Sequence, residues 1–336
     1  MNTPIGNIPR VATHLNAVDR MGIIMVRIGL KRMRYMVEPG LYAVGEPTAD
    51  SPVFVSANYK LSFDYLRREL TGFDGWIMVI DTKGINVWCA AGKGTFGTDE
   101  IIHRIEVTRL SEVVNHRQII LPQLGAPGVA AHEVKRRSSF RVIYGPVRAR
   151  DIPEFLDAGM KTSREMRRVL FNIGDRLVVA PLELIQWGRY AFFIAVVLFL
   201  LAGLNRHGYT FPGLAGGREV LLLFLTLLVT GILVPTFLPW LPGRALSWKG
   251  MVMGLLLAVV LVILGVIPST QIADKLETAA WVLMMPAIGA FMAMNYTGTT
   301  TYTSLSGVKK EMRFAVPSQI VSATLGFGLW MTARFF

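Results

Sequence analysis

The chain has 336 residues, 52% of them hydrophobic, a formal net charge of +12 and one cysteine, Cys89. A single cysteine excludes an internal disulfide framework and any multi-cysteine zinc or iron–sulfur site. The positive charge is no nucleic-acid signature and no nucleic acid partner is expected, because Arg164, Arg167, Arg168, Arg176, Arg189, Lys309, Lys310 and Arg313 lie beside apolar runs, where basic residues face anionic lipid and set orientation.

Met1 to Arg20 holds no continuous apolar core, so no signal peptide is expected and the first domain is expected in the cytoplasm. Residues 1–160 mix charge and hydrophobicity and read as alternating strands and helices. Pro52–Asn58 reads as a strand with a polar end, and Leu61–Leu70 as an amphipathic helix capped by Ser62. Trp76–Asp81 is a buried strand, Ile85–Ala90 reads as extended, and Thr98–Ile105 starts a helix with Thr98 as its cap. Gln118–Pro122 and Phe140–Gly145 are further strands. Strands ending in small or polar residues and a turn describe an open α/β sheet, with its ligand expected at the strand carboxyl ends.

Residues 161–189 form a basic, partly amphipathic connector expected on or near a membrane surface. Residues 190–336 hold five apolar spans, roughly Tyr190–Leu204, Val220–Leu238, Gly250–Ile267, Ala279–Tyr296 and Phe314–Ala333; crossing a hydrocarbon core takes about 20 residues. The first is short unless Trp187 and a snorkelling Arg189 complete it. The distribution of Arg and Lys over the loops predicts amino terminus in and carboxyl terminus out, a multi-pass protein of the inner (cytoplasmic) membrane. No span carries a charge in its middle, which argues for an anchor and docking surface over a pump or transporter. Pro235 and Pro286 are read as helix kinks rather than breaks around a site.

The stretch "NVWCAAGKGTFGT", Asn86–Thr98, concentrates the chemistry. Gly92, Gly94 and Gly97 match G-x-G-x-x-G, but the match comes late in the domain and no acid for a ribose ends a strand about 20 residues on. A nucleotide P-loop fails because Val87 stands where a glycine is needed. His103, His116 and His132 are available to a catalytic cysteine, with nothing in the spacing to single one out. A buried cysteine acting as a small hydrophobe is the bland alternative. Against it, Ala90, Ala91 and Gly92 leave space above the sulfur, and Lys93 adds local positive charge. One thiolate holds a bare metal ion poorly, but serves as an axial ligand where a macrocycle fills the other positions.

That stretch resembles the signature of the membrane-bound corrinoid proteins of microbial mercury methylation, the HgcA family. So do "VEPGLYAVGEP", "DSPVFVSANYKLSFD", "DTKGI" and "ILPQLGAPGVAAHEVKRRSSFRVIYGPVRARDIPEF". "SANY" and the last block also resemble the corrinoid domain of the corrinoid iron–sulfur protein of acetyl-CoA synthesis. The resemblance covers the first half almost end to end. It implies a Rossmann-like α/β corrinoid-binding domain followed by an all-α transmembrane domain of five helices. It also implies that Cys89 is the lower axial ligand of the corrinoid cobalt, with Asn86, Val87, Trp88, Ala90, Ala91, Gly92 and Lys93 forming the element placed against that face. Ser56 and Asn58 are expected to hydrogen-bond the corrin or its tail. Gln123, Gly125, Gly128, Gly145, Pro146 and Arg148 are expected near the nucleotide tail, with turn chemistry as their alternative. A histidine-ligated cobalamin domain is not indicated, since no histidine sits in D-x-H-x-x-G.

The activity implied is corrinoid-dependent methyl transfer from cobalt to Hg(II), giving methylmercury. The partners implied are a separate ferredoxin-like iron–sulfur protein as reductant and mercury handler, a methyl donor of the methyltetrahydrofolate type or its methyltransferase, and membrane lipid. Three alternatives stand beside it: a corrinoid methyl carrier for another acceptor, a non-enzymatic membrane sensor with a dinucleotide-binding domain, and a transporter with a regulatory domain. Whether the backbone at Cys89 runs as a strand end or a short helix is left open by the residues.

Overall fold

The computed structural model describes residues 1–30, 34–300, 302–303 and 305–336, with the side chains of 298, 299 and 305 excepted. The chain divides into two compact units, Met1–Val169 and Leu170–Phe336.

The first unit opens with a small hairpin, β1 (Asn2–Thr3) and β2 (Gly6–Asn7), and helix α1 (Ala17–Arg27). Asn16 caps α1 reciprocally with Asp19 in a capping box. Then follow β3 (Gly40–Val44), β4 (Val53–Ala57), α2 (Lys60–Glu69), β5 (Gly75–Ile80), α3 (Val87–Lys93) and α4 (Thr98–Val107). The unit closes with α5 (Leu110–Val113), β6 (Gln118–Leu121), α6 (Ala131–Ser138), β7 (Arg141–Tyr144) and α7 (Ile152–Asp157).

Five of the strands form one sheet in the order β3-β5-β4-β6-β7. β4, β5, β6 and β7 run parallel, and β3 pairs antiparallel with β5. β4 and β5 are buried at every residue. Trp76, Met78 and Ile80 face one core with Val53, Val55 and Ala57, while Ile77, Val79 and Phe54 face the other. Apolar residues on both pleats mean that both faces are covered, the usual state of a parallel sheet. The chain leaves β4 to form β5 on one side and returns to place β6 on the other. That reversal makes a crevice at the carboxyl ends of β4 and β6, where open α/β sheets hold ligands.

Helix α1 is tied to α2 through ions. Lys60 Nζ lies 2.7 Å from both Asp19 and Asp64, and Arg67 lies 2.7 Å from Asp19 and 2.9 Å from Asp64. Burial acts to raise the Asp19 pKa, but hydrogen bonds from Lys60 and Arg67 outweigh it and hold the carboxyl at about 2.

The second unit has five helices long and apolar enough to cross a membrane among the described residues. They are α8 (Ile173–Leu201), α9 (Gly213–Phe237), α10 (Leu246–Ile263), α11 (Ile272–Asn295) and α12 (Leu305–Ala333), with a small hairpin, β8 (Leu204–Asn205) and β9 (Gly208–Tyr209), after α8. α10 and α11 meet along glycines: a Cβ on Gly250 would lie 2.0 Å from the Gly289 carbonyl, and one on Gly254 would lie 2.4 Å from that of Met285. Small residues at such seams let helix backbones approach closely.

Charges gather near helix ends. Glu219 Oε2 accepts from the indole N–H groups of Trp281 (2.9 Å) and Trp330 (2.8 Å). Arg334 bridges Glu219 at 3.1 Å and Glu277 at 3.0 Å, and Arg218 pairs with both glutamates. Lys249 donates to the carbonyl of Leu238 at 2.7 Å, satisfying the carboxyl end of α9.

Several local expectations need correction. α8 begins at Ile173 under an Asn172 cap and runs unbroken into the first apolar span, so residues 173–189 of the expected connector are helical. Ser62 is not a cap: α2 begins at Lys60, with Tyr59 at the cap position and no side-chain cap bond. Thr98 is already helical and its hydroxyl accepts from the Ala130 amide at 2.9 Å, while Gly97 holds the cap position.

Candidate functional site

The segment Ile85–Ala90, read as extended, is mostly helical. Asn86 adopts extended backbone and its Oδ1 accepts from the Cys89 amide at 3.0 Å, which starts α3. Gly94, at φ 81°, ends the helix in the left-handed conformation that glycine adopts without strain. Two cap residues flanking a seven-residue run therefore outweigh the extended preference of Val87 and Trp88.

The helix has two faces. Val87, Ala90 and Ala91 are buried and join the core, whereas Trp88, Cys89, Gly92 and Lys93 are exposed together. Cys89 thus presents an exposed, unpaired thiol, beside a Trp88 ring that is 42% exposed. A Cβ built on Gly92 meets no heavy atom within 4 Å, so the surface next to the sulfur is open. Among the described residues no group of three or more His, Cys, Asp and Glu side chains converges. The donor set on this face is one soft sulfur.

The loop that launches α3 is bolted to β4 by Asn58. Its Oδ1 accepts from the amides of Thr82 (3.1 Å) and Gly84 (3.0 Å) and from the Thr82 hydroxyl (2.8 Å), and its Nδ2 donates to Asp81 at 3.1 Å. Asn58 is 4% exposed and Ser56, whose hydroxyl donates to the Ala57 carbonyl at 3.2 Å, is 3% exposed. Both lie at the end of β4 as expected, but their polar atoms are turned inward. Burial acts to raise Asp81, and hydrogen bonds from the side chain and amide of Lys83 outweigh it, keeping that carboxyl below its usual range.

Behind α3 lies the 3-10 turn Gln123–Gly128, which follows β6. A Cβ on Gly125 would sit 2.5 Å from the buried Phe96 ring, and one on Gly128 would sit 2.2 Å from the Phe96 carbonyl and 3.0 Å from Ala91 Cα. These glycines let the turn seat directly against α3 and its exit. Gln123 is half-buried beside them, its amide 3.4 Å from the Pro146 carbonyl. Gly145 and Pro146 are buried after β7, and Arg148 is half-buried. Tyr144 donates to the Val129 carbonyl at 3.0 Å and joins the β7 end to the same turn.

The structure therefore brings Asn58, Asn86–Lys93 and Gln123–Gly128 together at the carboxyl edge of the sheet, with Gly145–Arg148 on the adjoining strand end. Only Trp88, Cys89, Gly92 and Lys93 form an outward face; the others support it. The Gly92–Gly97 match does not sit in a strand-to-helix turn, since Gly92 lies inside α3. Residues that sequence reasoning missed are Thr82, wholly buried between Asn58 and the Ile85 carbonyl, and Phe96, the packing surface for both glycines. "DTKGI" carries the family resemblance there without revealing Thr82 as an interior anchor.

Residues 22–156 match the family model described as CO dehydrogenase/acetyl-CoA synthase delta subunit. The α/β unit is similar to subunits of acetyl-CoA-metabolising complexes. The acetyl-CoA decarbonylase/synthase complex subunit gamma of Archaeoglobus fulgidus is 33% identical over 128 residues, covering 38% of this chain and 27% of that protein. The gamma subunit of Methanopyrus kandleri is 32% identical over 123 residues, covering 36% and 26%. That of Methanothermobacter thermautotrophicus is 30% identical over 142 residues, covering 41% and 31%. The chain thus spans roughly a quarter to a third of the length of these relatives. The matches carry both delta and gamma names, so the likeness is to a shared domain, and that domain contains every candidate site residue.

Proposed function

We propose that the chain is a membrane-anchored corrinoid-dependent methyltransferase whose methyl acceptor is Hg(II), with a corrinoid-binding domain over 1–160, a connector over 161–189 and a transmembrane domain over 190–336. The exposed sulfur of Cys89, alone on an open face of α3 at the ligand edge of the sheet, carries this reading. Similarity of residues 22–156 to acetyl-CoA synthase subunits supports corrinoid methyl chemistry. The resemblance of "NVWCAAGKGTFGT" to the mercury-methylating family supports Hg(II) as acceptor.

The corrinoid, when bound, supplies a cobalt centre able to carry and transfer a methyl group. Cys89 offers that centre one soft donor, and the face fits it because a flat macrocycle needs clearance, which Gly92 leaves open. The Asn86 cap fixes the first turn of α3 and with it the sulfur. Trp88 borders the face and Lys93 adds a positive charge. Asn58, Thr82, Gly125 and Gly128 hold the helix from behind, so the sulfur is positioned before ligand arrives. Gln123, Gly145, Pro146 and Arg148 lie along the neighbouring strand ends, where an extended tail is to be accommodated. The soluble unit is placed on the cytoplasmic side of the inner membrane.

Electrons for cobalt must come from elsewhere, since one cysteine cannot hold an iron–sulfur cluster. A ferredoxin-like partner is proposed for that role, with a methyltetrahydrofolate-type donor or its methyltransferase upstream. A carrier for a different acceptor is the second reading, favoured by the acetyl-CoA-complex names of the relatives. The deciding experiment incubates purified chain, iron–sulfur partner, reductant, methyl donor and Hg(II), and assays methylmercury. The proposal expects a corrinoid absorbance spectrum that changes in Cys89→Ala, and product formation that this variant loses. A colourless protein sinks the corrinoid reading; a corrinoid-loaded protein that methylates only another acceptor sinks the mercury reading.

A further inference from the structure

We propose that the first unit carries a docking site for anionic phospholipid, built on α1 and the arginine-lined pocket beside it. Val18, Met21, Ile24 and Ile28 recur at intervals of three and four residues, so they form one stripe along the helix. All four are exposed, Val18 at 79%, Met21 at 58% and Ile24 at 55%. The core does not account for them: Asp19 and Val26, on the other side of the helix, are the residues α1 buries. An 11-residue helix with two sealed ends and an apolar stripe facing solvent has an unfilled partner.

Charge identifies that partner. Arg20 and Arg27 are seven residues apart, exposed, and run along one edge of the stripe. They enter a pocket of about 550 Å³ whose lining includes His14, Ile24, Tyr65 and Arg68. Arg27 donates to the Tyr65 hydroxyl, and Arg68 lies 5.0 Å over the same ring while pairing with Glu69. Arg20 and Arg27 enter no ion pair among the described residues. In sequence the basic run goes on through Lys31, Arg32 and Arg34, the first two outside the described residues.

Guanidinium groups bordering an apolar stripe match a phosphate headgroup above an acyl boundary, the arrangement by which amphipathic helices lie in an anionic interface. A bilayer is always at hand for a chain with five membrane-length helices, so each surface contact acts at high effective concentration. The site rests on the membrane reading of the second unit and not on the corrinoid reading of the α/β unit.

The test places the full chain in nanodiscs of phosphatidylglycerol or phosphatidylcholine, with a photoreactive benzoylphenylalanine replacing Ile24, or Glu106 on α4 as an exposed reference. The expected result is lipid adducts at position 24 at least about ten-fold above position 106 in anionic discs. Arg20→Gln and Arg27→Gln should each lower the yield about five-fold, together about 25-fold, and Arg→Lys should preserve most of it. Equal labelling at both positions, attachment of the probe to protein, or indifference to lipid charge overturns the docking site. Co-elution of chain and disc is read separately. Failure to insert overturns the membrane reading and the docking site with it, whereas intact insertion without adducts overturns the docking site alone.

Discussion

Replacing Asn58 by alanine tests whether this residue is a bolt or a ligand contact. The substitution removes the acceptor of two backbone amides, Thr82 at 3.1 Å and Gly84 at 3.0 Å, together with the donor to Asp81. Thr82 is 0% exposed and Gly84 is buried, so neither amide gains water in exchange. The Thr82 hydroxyl keeps the Ile85 carbonyl and adds little to the cost. An orphaned buried donor costs about 1–3 kcal/mol, so the two amides together cost about 2–6 kcal/mol. Against a domain stability of about 5–15 kcal/mol this is large, and it falls on the loop that launches α3. Hydrogen exchange across residues 81–94 should accelerate more than across β6 and β7, and the first unit should unfold at lower urea. Thr82→Val, which removes only the hydroxyl, should cost about 1 kcal/mol. If Asn58→Ala changes stability by less than about 1 kcal/mol while corrinoid affinity collapses, the bolt is wrong and Asn58 touches the cofactor.

Two glycines give opposite expectations. Gly128→Val drives side-chain atoms into the backbone of Phe96 and Ala91 and should lose about 1–3 kcal/mol or more, read as a lower urea midpoint. Gly92→Ala meets open space inside a helix and should stabilise the corrinoid-free chain by about 0.5–1 kcal/mol while reducing corrinoid uptake, read by absorbance. Asp19, held at about 2 against an ordinary 3.8, contributes stability that is present above about pH 4 and lost as pH falls toward 2. Amide exchange in α1 should therefore rise over that window, and Lys60→Met should move the rise to higher pH. Glu219→Ala strips the acceptor from Trp281, Trp330 and Arg334 and should cost about 3–5 kcal/mol, measured by thermal unfolding in detergent. Glu219→Gln, which keeps an acceptor for the indoles, should cost less.

The central strands were legible because β4 and β5 are apolar runs, interrupted only by Ser56 and followed by Asn58 and Asp81, a pattern that burial on both faces imposes. The five apolar spans were legible for the same kind of reason, though α8 starts well before its apolar span, under an Asn172 cap set in a basic segment. α3 is hard to see in the sequence because Val87 and Trp88 favour extended backbone, while the Asn86 and Gly94 caps that decide the matter lie at its margins. Thr98 has the type and position of a cap, yet its hydroxyl is spent on Ala130, a partner that only the fold brings near. The pairing of Arg334 with Glu219 and Glu277 was invisible in principle, since each looks like an isolated charge at the margin of an apolar run. At the site, residue types were readable but their direction was not: Asn58 and Ser56 end the expected strand, and the inward hydrogen bonds of Asn58 depend on the loop that the fold brings beside it.

The solitary thiol has a practical consequence. Because Cys89 is both the sole cysteine and exposed, a thiol-reactive dye or alkylating agent will mark each chain once, at one known atom. Its rate of attachment is then a direct meter of whether the face of α3 is covered, usable in crude membranes and with unidentified partners. Any molecule that shelters this face, whatever its chemistry, will announce itself as slowed alkylation at a single peptide.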